Sequence, residues 1–250
     1  MSEQVVGVEI GQGNLILVNA NYPLRTRKEH RQVVFDESYP GILLDAKVVN
    51  CLRWAFSEID CGSRILPVSG FRTREEQVRI YEDSLLNNGI EFTNKYVALP
   101  DCSEHQTGLA IDLGLNEGMV DFIRPHFPYE GICELFRKKA IQYGFIERYN
   151  ESKERITGIS HEPWHFRYVG YPHSSVMAMN NLCLEEYVDY LRDFPYDGKH
   201  FIYENCGKRV EICFVSEEYM SEGLIQVGGD IVTDISGNNV DGFIMTIWRQ

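Results

Sequence analysis

The apolar positions of this chain change period several times, and each change marks an element. Residues 15–19 form a short apolar run closed by Asn21-Tyr22-Pro23, which predicts an early strand and a turn. Residues 25–30 are polar and basic and read as a solvated loop. Val48, Val49, Leu52, Ala55, Phe56 and Ile59 then fall on helical spacing behind Asp45 as N-cap, and this helix ends near Cys61-Gly62. Residues 65–69 read as a strand, with Pro67 pointing to an edge or a bulge because it cannot donate to a ladder. Thr73 and Glu76 form a capping box for a helix with Val78, Tyr81 and Leu85 on one face and Gly89 at its C′ position.

The period then changes to two. Leu109, Ile111 and Leu113 point one way, and Ala110, Asp112 and Gly114 the other. Asp112 is thus flanked on its own face by the two smallest side chains, which leaves room above the carboxylate. Residues 132–143 predict an amphipathic helix closed by Gly144, and residues 145–149 and 164–169 predict strands, the second starting after Pro163. From residue 174 to 194, Val176, Leu182, Cys183, Tyr187, Tyr190 and Leu191 keep helical spacing behind a Ser174 cap, with Met177 and Met179 as core filler. Past Pro195-Tyr196-Asp197-Gly198 the pattern shifts to short strands and turns: 201–203, 210–213, a turn at 236–239, and 243–248. The expected organisation is a main domain over residues 1–198 and a small β-rich appendage over 199–250.

Composition narrows the function classes. A net charge of −13 argues against nucleic acid or an anionic membrane surface as partner, since phosphate binding needs clustered Lys and Arg. No apolar run approaches the length of a membrane span, and residues 1–13 have neither a basic nor an apolar signal region. Seven scattered cysteines without a CxxC pair suit a reducing compartment, so a cytoplasmic location is expected.

The candidate chemistry lies in two separated stretches, residues 103–112 and 162–165. They supply two imidazoles and two carboxylates, His105, Asp112, Glu162 and His165. A catalytic zinc site takes three protein ligands, leaves a fourth position open and keeps a carboxylate nearby to move protons. That chemistry assigns His105, Asp112 and His165 as ligands and Glu162 as base. Residues 161–165 also match the literal pattern H-E-x-x-H, which in zincins works because a helix puts both histidines on one face. Here Pro163 and the strand formers after it exclude a ligand helix, so His161 is expected to be a neighbour, not a ligand. For Glu162 and His165 to face one site, the chain must bend at Pro163. Cys102, close to the site, reads as a semi-buried loop residue.

The spacing S-x-H-x-x-G-x-A-x-D followed by E-x-x-H resembles the zinc D-alanyl-D-alanine peptidases of the VanX, VanY and VanXY kind. Further matches occur in the same order: Leu17-Val18-Asn19 before Tyr22-Pro23-Leu24, and Ser69-Gly70-Phe71-Arg72-Thr73 leading to Gln77 and Tyr81. The similarity spans residues 15–192. It implies an α+β fold with a mixed, mainly antiparallel central sheet flanked by helices, a D-Ala-D-Ala peptidase/hedgehog-like arrangement to which the small C-terminal β appendage is added. It also implies one Zn2+ per chain on His105, Asp112 and His165, with Glu162 as general base. Arg72 would polarise the scissile carbonyl, and Ser103 and Gln77 would contact substrate. The implied activity is removal of terminal D-Ala from the free D-Ala-D-Ala dipeptide, from the muramyl pentapeptide precursor, or from both, which depletes the target of vancomycin-type antibiotics. The bifunctional VanXY type fits best, because VanY-like motifs occur here without an export signal. The alternatives are an L,D-carboxypeptidase acting on tetrapeptide stems and a zinc-stabilised binding domain without turnover. Pro100-Asp101-Cys102-Ser103 departs from the family's Pro-Gly-x-Ser entry to the motif.

Overall fold

The computed structural model describes residues 3–4, 8–25, 32–221, 226–227 and 232–249. The loop expected over residues 25–30 therefore lies outside the described residues except for Arg25. In chain order the first elements are β1 (Glu3–Gln4), β2 (Gln32–Val34), β3 (Leu43–Asp45), α1 (Ala46–Glu58), β4 (Ile65–Ser69) and α2 (Arg74–Tyr96). They continue with β5 (Ala110–Leu115), α3 (Gly131–Ala140), β6 (Phe145–Tyr149), α4 (Glu154–Thr157), β7 (Glu162–Tyr168), α5 (His173–Asn180) and α6 (Leu184–Leu191). The last are β8 (Phe201–Asn205), β9 (Lys208–Ser216), α7 (Glu217–Ser221), β10 (Gln226–Val227), β11 (Val232–Gly237) and β12 (Gly242–Arg249).

Chain contacts define two compact units. One combines Val18–Pro23 with Lys28–Cys183; the other combines Met1–Leu17, Leu24–Arg27 and Leu184–Gln250. The division thus falls after Cys183, not at residue 198, because α6 and the N-terminal segment pack with the C-terminal strands.

The first unit is built on an antiparallel sheet in the order β4-β5-β7-β6. One face of this sheet packs on α1 and α3 through a chain of edge-to-face rings. Phe56 meets Phe136 at 5.4 Å, Phe136 meets Phe166 at 4.9 Å, and Phe127 meets Phe166 at 5.3 Å. The other face carries the candidate site, since alternate strand residues point to opposite sides. Asp45 caps α1 by accepting from the Lys47 backbone N–H, and both halves of the Thr73–Glu76 capping box form at the start of α2. Pro67 satisfies both of its expectations: β4 is an edge strand, and its register against β5 shifts by one residue between Pro67 and Ser69.

Several expectations need correction. The run at 15–19 is not a strand. Its backbone instead bonds to a C-terminal turn, with Leu17 N–H donating to the Asn238 carbonyl and the Leu15 N–H to the Ser236 hydroxyl. The helix does break at Gly89, with φ +79 as expected of a C′ glycine, but a further helical segment that the spacing did not predict follows it to Tyr96. The periodic stretch 174–194 is two helices separated by Asn181 in the left-handed region, φ +51. Ser174 is not a cap there; its hydroxyl donates to the Ile141 carbonyl at 2.6 Å. Met177 is buried as expected, whereas Met179 is 75% exposed.

In the second unit, β11-β12-β9-β8 form an antiparallel sheet over a core of Cys213, Val215, Phe243, Met245 and Ile247. The turn before β12 is held by the Asn238 side-chain oxygen, which accepts from the backbone N–H groups of Val240, Asp241 and Gly242.

Candidate active site

Sheet register assembles the first part of the site. Asp112 on β5 lies directly opposite Ser69 on β4 and His165 on β7, so the three form a row across the sheet. Cross-strand partners have Cβ atoms only about 4.5–5.5 Å apart, which brings the Asp112 and His165 side chains into contact. The two backbones need no special conformation for this. Asp112 Oδ1 is 3.0 Å from His165 Nδ1.

His105 arrives from a loop. Residues Glu104–Thr107 form one 3-10 turn, held by the Thr107 hydroxyl, which donates to the Glu104 carbonyl and accepts from the Leu109 N–H. Gly108 closes the turn at φ +72. His105 Nδ1 lies 2.7 Å from the Gly70 carbonyl, and because a carbonyl only accepts, this nitrogen carries the proton. Nε2 is left with its lone pair facing Asp112 Oδ2 at 3.1 Å.

His165 is fixed in the complementary way. Its Nε2 sits 3.3 Å from the carboxylate of Glu104, whose side chain is fully buried. Glu104 in turn accepts from Arg148 Nε at 2.8 Å and lies 2.9 Å from Arg167 Nη1, both guanidiniums being fully buried as well. Burial alone would raise the Glu104 carboxyl, but the two arginines outweigh it and hold the group far below the usual carboxylate range. Glu104 is thus a fixed anion behind His165, leaving Nδ1 to face the cluster. Sequence reasoning passed over it as a variable position of the motif. The available signal was an Arg at 148 and another at 167, each inside an apolar strand where an unpaired cation is not tolerated.

Glu162 joins these residues through an irregularity in β7. Phe166 pairs with Glu147 but Glu162 with Tyr149, so β7 spends four residues where β6 spends two, and Pro163 lies within the bulged stretch. This is the bend at Pro163 that the sequence requires. It places the Glu162 carboxylate 3.8 Å from His165 Nδ1. Burial is the main influence on Glu162 and pushes its pKa up to about 8. For His165 burial acts downward but is overcome by hydrogen bonds to Asp112 and Glu104, which push the imidazole up to about 9. Asp112 is held well below the carboxylate range: burial raises it, and the two histidines outweigh that. His105 goes down, from burial and then the Arg72 charge.

Arg72 sits at the end of the edge strand's connection to α2. Its Nε and Nη2 donate to the Ser69 hydroxyl at 2.9 and 2.8 Å, and Nη2 also donates to Asp112 Oδ2 at 3.1 Å. The Arg72 backbone N–H donates to the His105 carbonyl, which ties the two loops together. Arg72, Ser103, His105, Asp112, Glu162 and His165 all line one cavity. Gln77 is placed differently. It lies behind Arg72, accepting from Nη1 at 3.4 Å and donating to the Ala98 carbonyl at 2.8 Å. His161 is outside the cluster, stacked on Tyr129 with its Nε2 2.6 Å from the Tyr129 hydroxyl.

The donor set fits a divalent metal. Ligand atoms of His105, Asp112 and His165 all lie within 4.8 Å of one another. Each imidazole commits its outer ring nitrogen to an acceptor, a carbonyl for one and a carboxylate for the other, and turns the inner nitrogen toward Asp112. Such outer partners are those that orient metal-bound histidines. Two nitrogens and a carboxylate are a donor set that Zn2+ accepts.

Three side chains able to hold a metal, with a buried glutamate and a fixed guanidinium beside them on one cavity, are the arrangement a metallopeptidase needs. The comparisons narrow it. A VanY model, described as D-alanyl-D-alanine carboxypeptidase, matches residues 46–171. Over 179 residues the chain is 45% identical to the bifunctional D-Ala-D-Ala dipeptidase and D-Ala-D-Ala carboxypeptidase VanXYC of Enterococcus gallinarum, an overlap of 71% of this chain and 94% of that relative. The structure of the vancomycin resistance D,D-dipeptidase VanXYg, in complex with a D-Ala-D-Ala phosphinate analog, superposes with a TM-score of 0.93 at 51% identity, covering 96% of each chain. A variant of the vancomycin resistance D,D-pentapeptidase VanY from a VanB-type cassette, in complex with Zn(II), matches at 29% identity and a TM-score of 0.59, over 70% of this chain and 98% of that one. The chain belongs to the VanY family of D-alanyl-D-alanine carboxypeptidases.

Proposed function

We propose that this protein hydrolyses the terminal D-Ala-D-Ala bond of both the free dipeptide and the muramyl pentapeptide precursor, as a peptidase using one Zn2+. Depletion of such termini would confer resistance to vancomycin-type glycopeptides. The observation that carries this reading is the convergence of His105, Asp112 and His165 on one point, with Glu162 and Arg72 on the same cavity wall. A purely structural metal site needs neither of the last two residues.

In this reading His105, Asp112 and His165 hold the ion. When bound, zinc supplies Lewis-acid chemistry, acidifying water and polarising a carbonyl. Glu162 accepts a proton from the attacking water and delivers it to the leaving amine. Its burial suits this exchange, because a carboxyl with a raised pKa holds and releases a proton near neutral pH. Arg72 meets the developing oxyanion, and Ser69 and Asp112 fix its guanidinium before substrate arrives. The Ser103 hydroxyl holds the terminal carboxylate of the substrate. Gln77 acts through Arg72, by anchoring it to the backbone at Ala98. These roles belong to the unit that ends at Cys183, and the unit that carries strands β8 to β12 is not assigned one. No helix among the described residues is long and apolar enough to cross a membrane. A cytoplasmic site of action is supported by the cysteines, all seven of which are free.

The test is a hydrolysis panel of D-Ala-D-Ala, pentapeptide and tetrapeptide, with metal analysis of the same preparation. Release of D-Ala from the first two, with one zinc per chain, is the expected result. Turnover of the tetrapeptide alone would establish an L,D-carboxypeptidase, and bound zinc without any turnover would establish a binding domain.

A further inference from the structure

Glu162 faces the metal cluster only because β7 bulges around Pro163, and a bulged stretch gives up part of its ladder. Among the described residues the Glu162 carboxylate accepts no hydrogen bond, and His165 Nδ1, at 3.8 Å, is too far for one. Its position is therefore set by the backbone that carries it. That backbone is held on both sides of Glu162. On one side the Pro163 carbonyl accepts from Arg137 Nη2 at 3.1 Å. On the other, the His161 backbone N–H donates to Glu154 Oε1 at 2.7 Å, and the His161 ring meets the Tyr129 hydroxyl.

Arg137 on α3 and Tyr129 belong to one network. Arg137 Nε donates to Glu147 Oε2 at 2.5 Å, and Nη1 and Nη2 also donate to the Pro128 and Phe127 carbonyls at 3.1 and 3.2 Å. The Tyr129 ring covers the guanidinium, with Cζ 3.9 Å from the ring centre. The Tyr129 hydroxyl lies 2.5 Å from Glu147 Oε1 and 2.6 Å from His161 Nε2. A carboxylate only accepts, so the phenol proton goes to Glu147, and His161 Nε2 carries a proton of its own that it donates to the phenol oxygen.

We propose that Arg137, with Tyr129 and Glu147 as its partners, is a positioning residue for the general base, fixing the bulge so that the Glu162 carboxylate stays at the cluster. This rests on the peptidase reading. An arginine whose only task was to neutralise Glu147 would need one acceptor. Arg137 instead ties α3 to the 127–128 backbone and to the bulge, which takes the rigid fork of a guanidinium and is beyond a lysine ammonium. Neither Arg137 nor Tyr129 lines the cavity that faces the cluster, so both act on the reaction through Glu162 and not on substrate.

Two variants test this. Arg137→Lys keeps the charge opposite Glu147 and gives up the fork, and Tyr129→Phe keeps the ring and removes the hydroxyl at a side chain that is 49% exposed, where the fold tolerates change. On D-Ala-D-Ala, kcat should fall about 10–100-fold in Arg137→Lys and about threefold or more in Tyr129→Phe, with KM within about twofold, because a misplaced reacting group slows the step without weakening binding. Zinc content should be that of wild type. Hydrogen exchange read by mass spectrometry reports on the bulge without turnover: in both variants residues 160–168 should exchange at least about fivefold faster while α1 keeps the wild-type rate. Unchanged kcat, a loss carried by KM, lost zinc, or exchange that is unchanged or faster in both segments would overturn the proposal. A wild type that releases no D-Ala would overturn the peptidase reading alone. The exchange comparison then still decides whether this network holds the bulge: acceleration confined to 160–168 supports it, and any other pattern counts against it.

Discussion

At the scale of single residues, Glu162, His165 and Glu104 have separate tasks within one buried cluster, and substitution should separate them. Glu162 is not among the grouped ligand atoms, so Glu162→Gln should retain zinc while kcat falls about 10²–10⁴-fold, the range for a lost general acid–base. Zinc loss in that variant would contradict the role. His165→Ala should lose the metal and His161→Ala should keep it, since His161 hydrogen-bonds Tyr129 outside the cluster. The reverse pattern would restore the H-E-x-x-H interpretation. Glu104 offers a sharper test because its buried carboxylate meets the metal cluster through His165. Glu104→Gln keeps the size but removes the anion that orients His165 and leaves Arg148 and Arg167 underpaired. Zinc affinity should drop about 10–100-fold, as measured by competition with a chromophoric chelator. Unchanged affinity would reduce Glu104 to a counter-ion for the two arginines. The four principal residues were legible from the spacing of the sequence, because donor type and motif order carry that information. Glu104 was not, since its importance comes from strands far along the chain.

At the scale of elements, the site depends on how closely loops and strand ends approach. Gly70 follows β4, and a Cβ placed there would lie 2.3 Å from the Leu43 carbonyl oxygen, a backbone atom that cannot swing aside. The Gly70 carbonyl is also the acceptor that fixes the His105 ring. Gly70→Ala should therefore cost about 1–3 kcal/mol of stability by overpacking and weaken zinc binding as well. Thermal melting and metal titration on one preparation check this; a stability loss with intact zinc affinity would uncouple the strand end from the ligand. Elements with strong local signals were readable in advance. Asp45 and the Thr73–Glu76 box announce α1 and α2 because capping is decided within four residues. Asn181 was invisible, since a polar residue on helical spacing reads as surface until the chain turns there. The apolar run at 15–19 misled for another reason: its backbone partners are at 236 and 238, over two hundred residues away.

At the scale of the whole molecule, the buried cluster should make stability depend on metal and pH together. Without metal, the pKa values of His165 and Glu162 are raised, to about 9 and about 8 from ordinary values of 6.5 and 4.5. Both groups then hold protons in the folded state that the unfolded chain has already released between pH 7 and 9. A raised pKa contributes stability that is complete below the unfolded value and disappears as pH rises through the folded one. Metal-free protein should therefore melt at progressively lower temperature from pH 7 to 9. His105 has the opposite sign, its pKa being lowered, but its contribution changes only below its ordinary value of 6.5, outside this window. Metal binding requires the facing His165 nitrogen without its proton, so zinc competes with protons and binds more tightly as pH rises. The melting temperatures of zinc-loaded and chelator-treated protein should thus diverge as pH increases. At this chain length each kcal/mol of difference shifts the midpoint by about 2–4 °C, which scanning calorimetry resolves. A gap that stays constant or narrows from pH 7 to 9 would mean that no proton leaves this cluster when the metal enters, and that His165 does not bind it through the nitrogen facing Asp112.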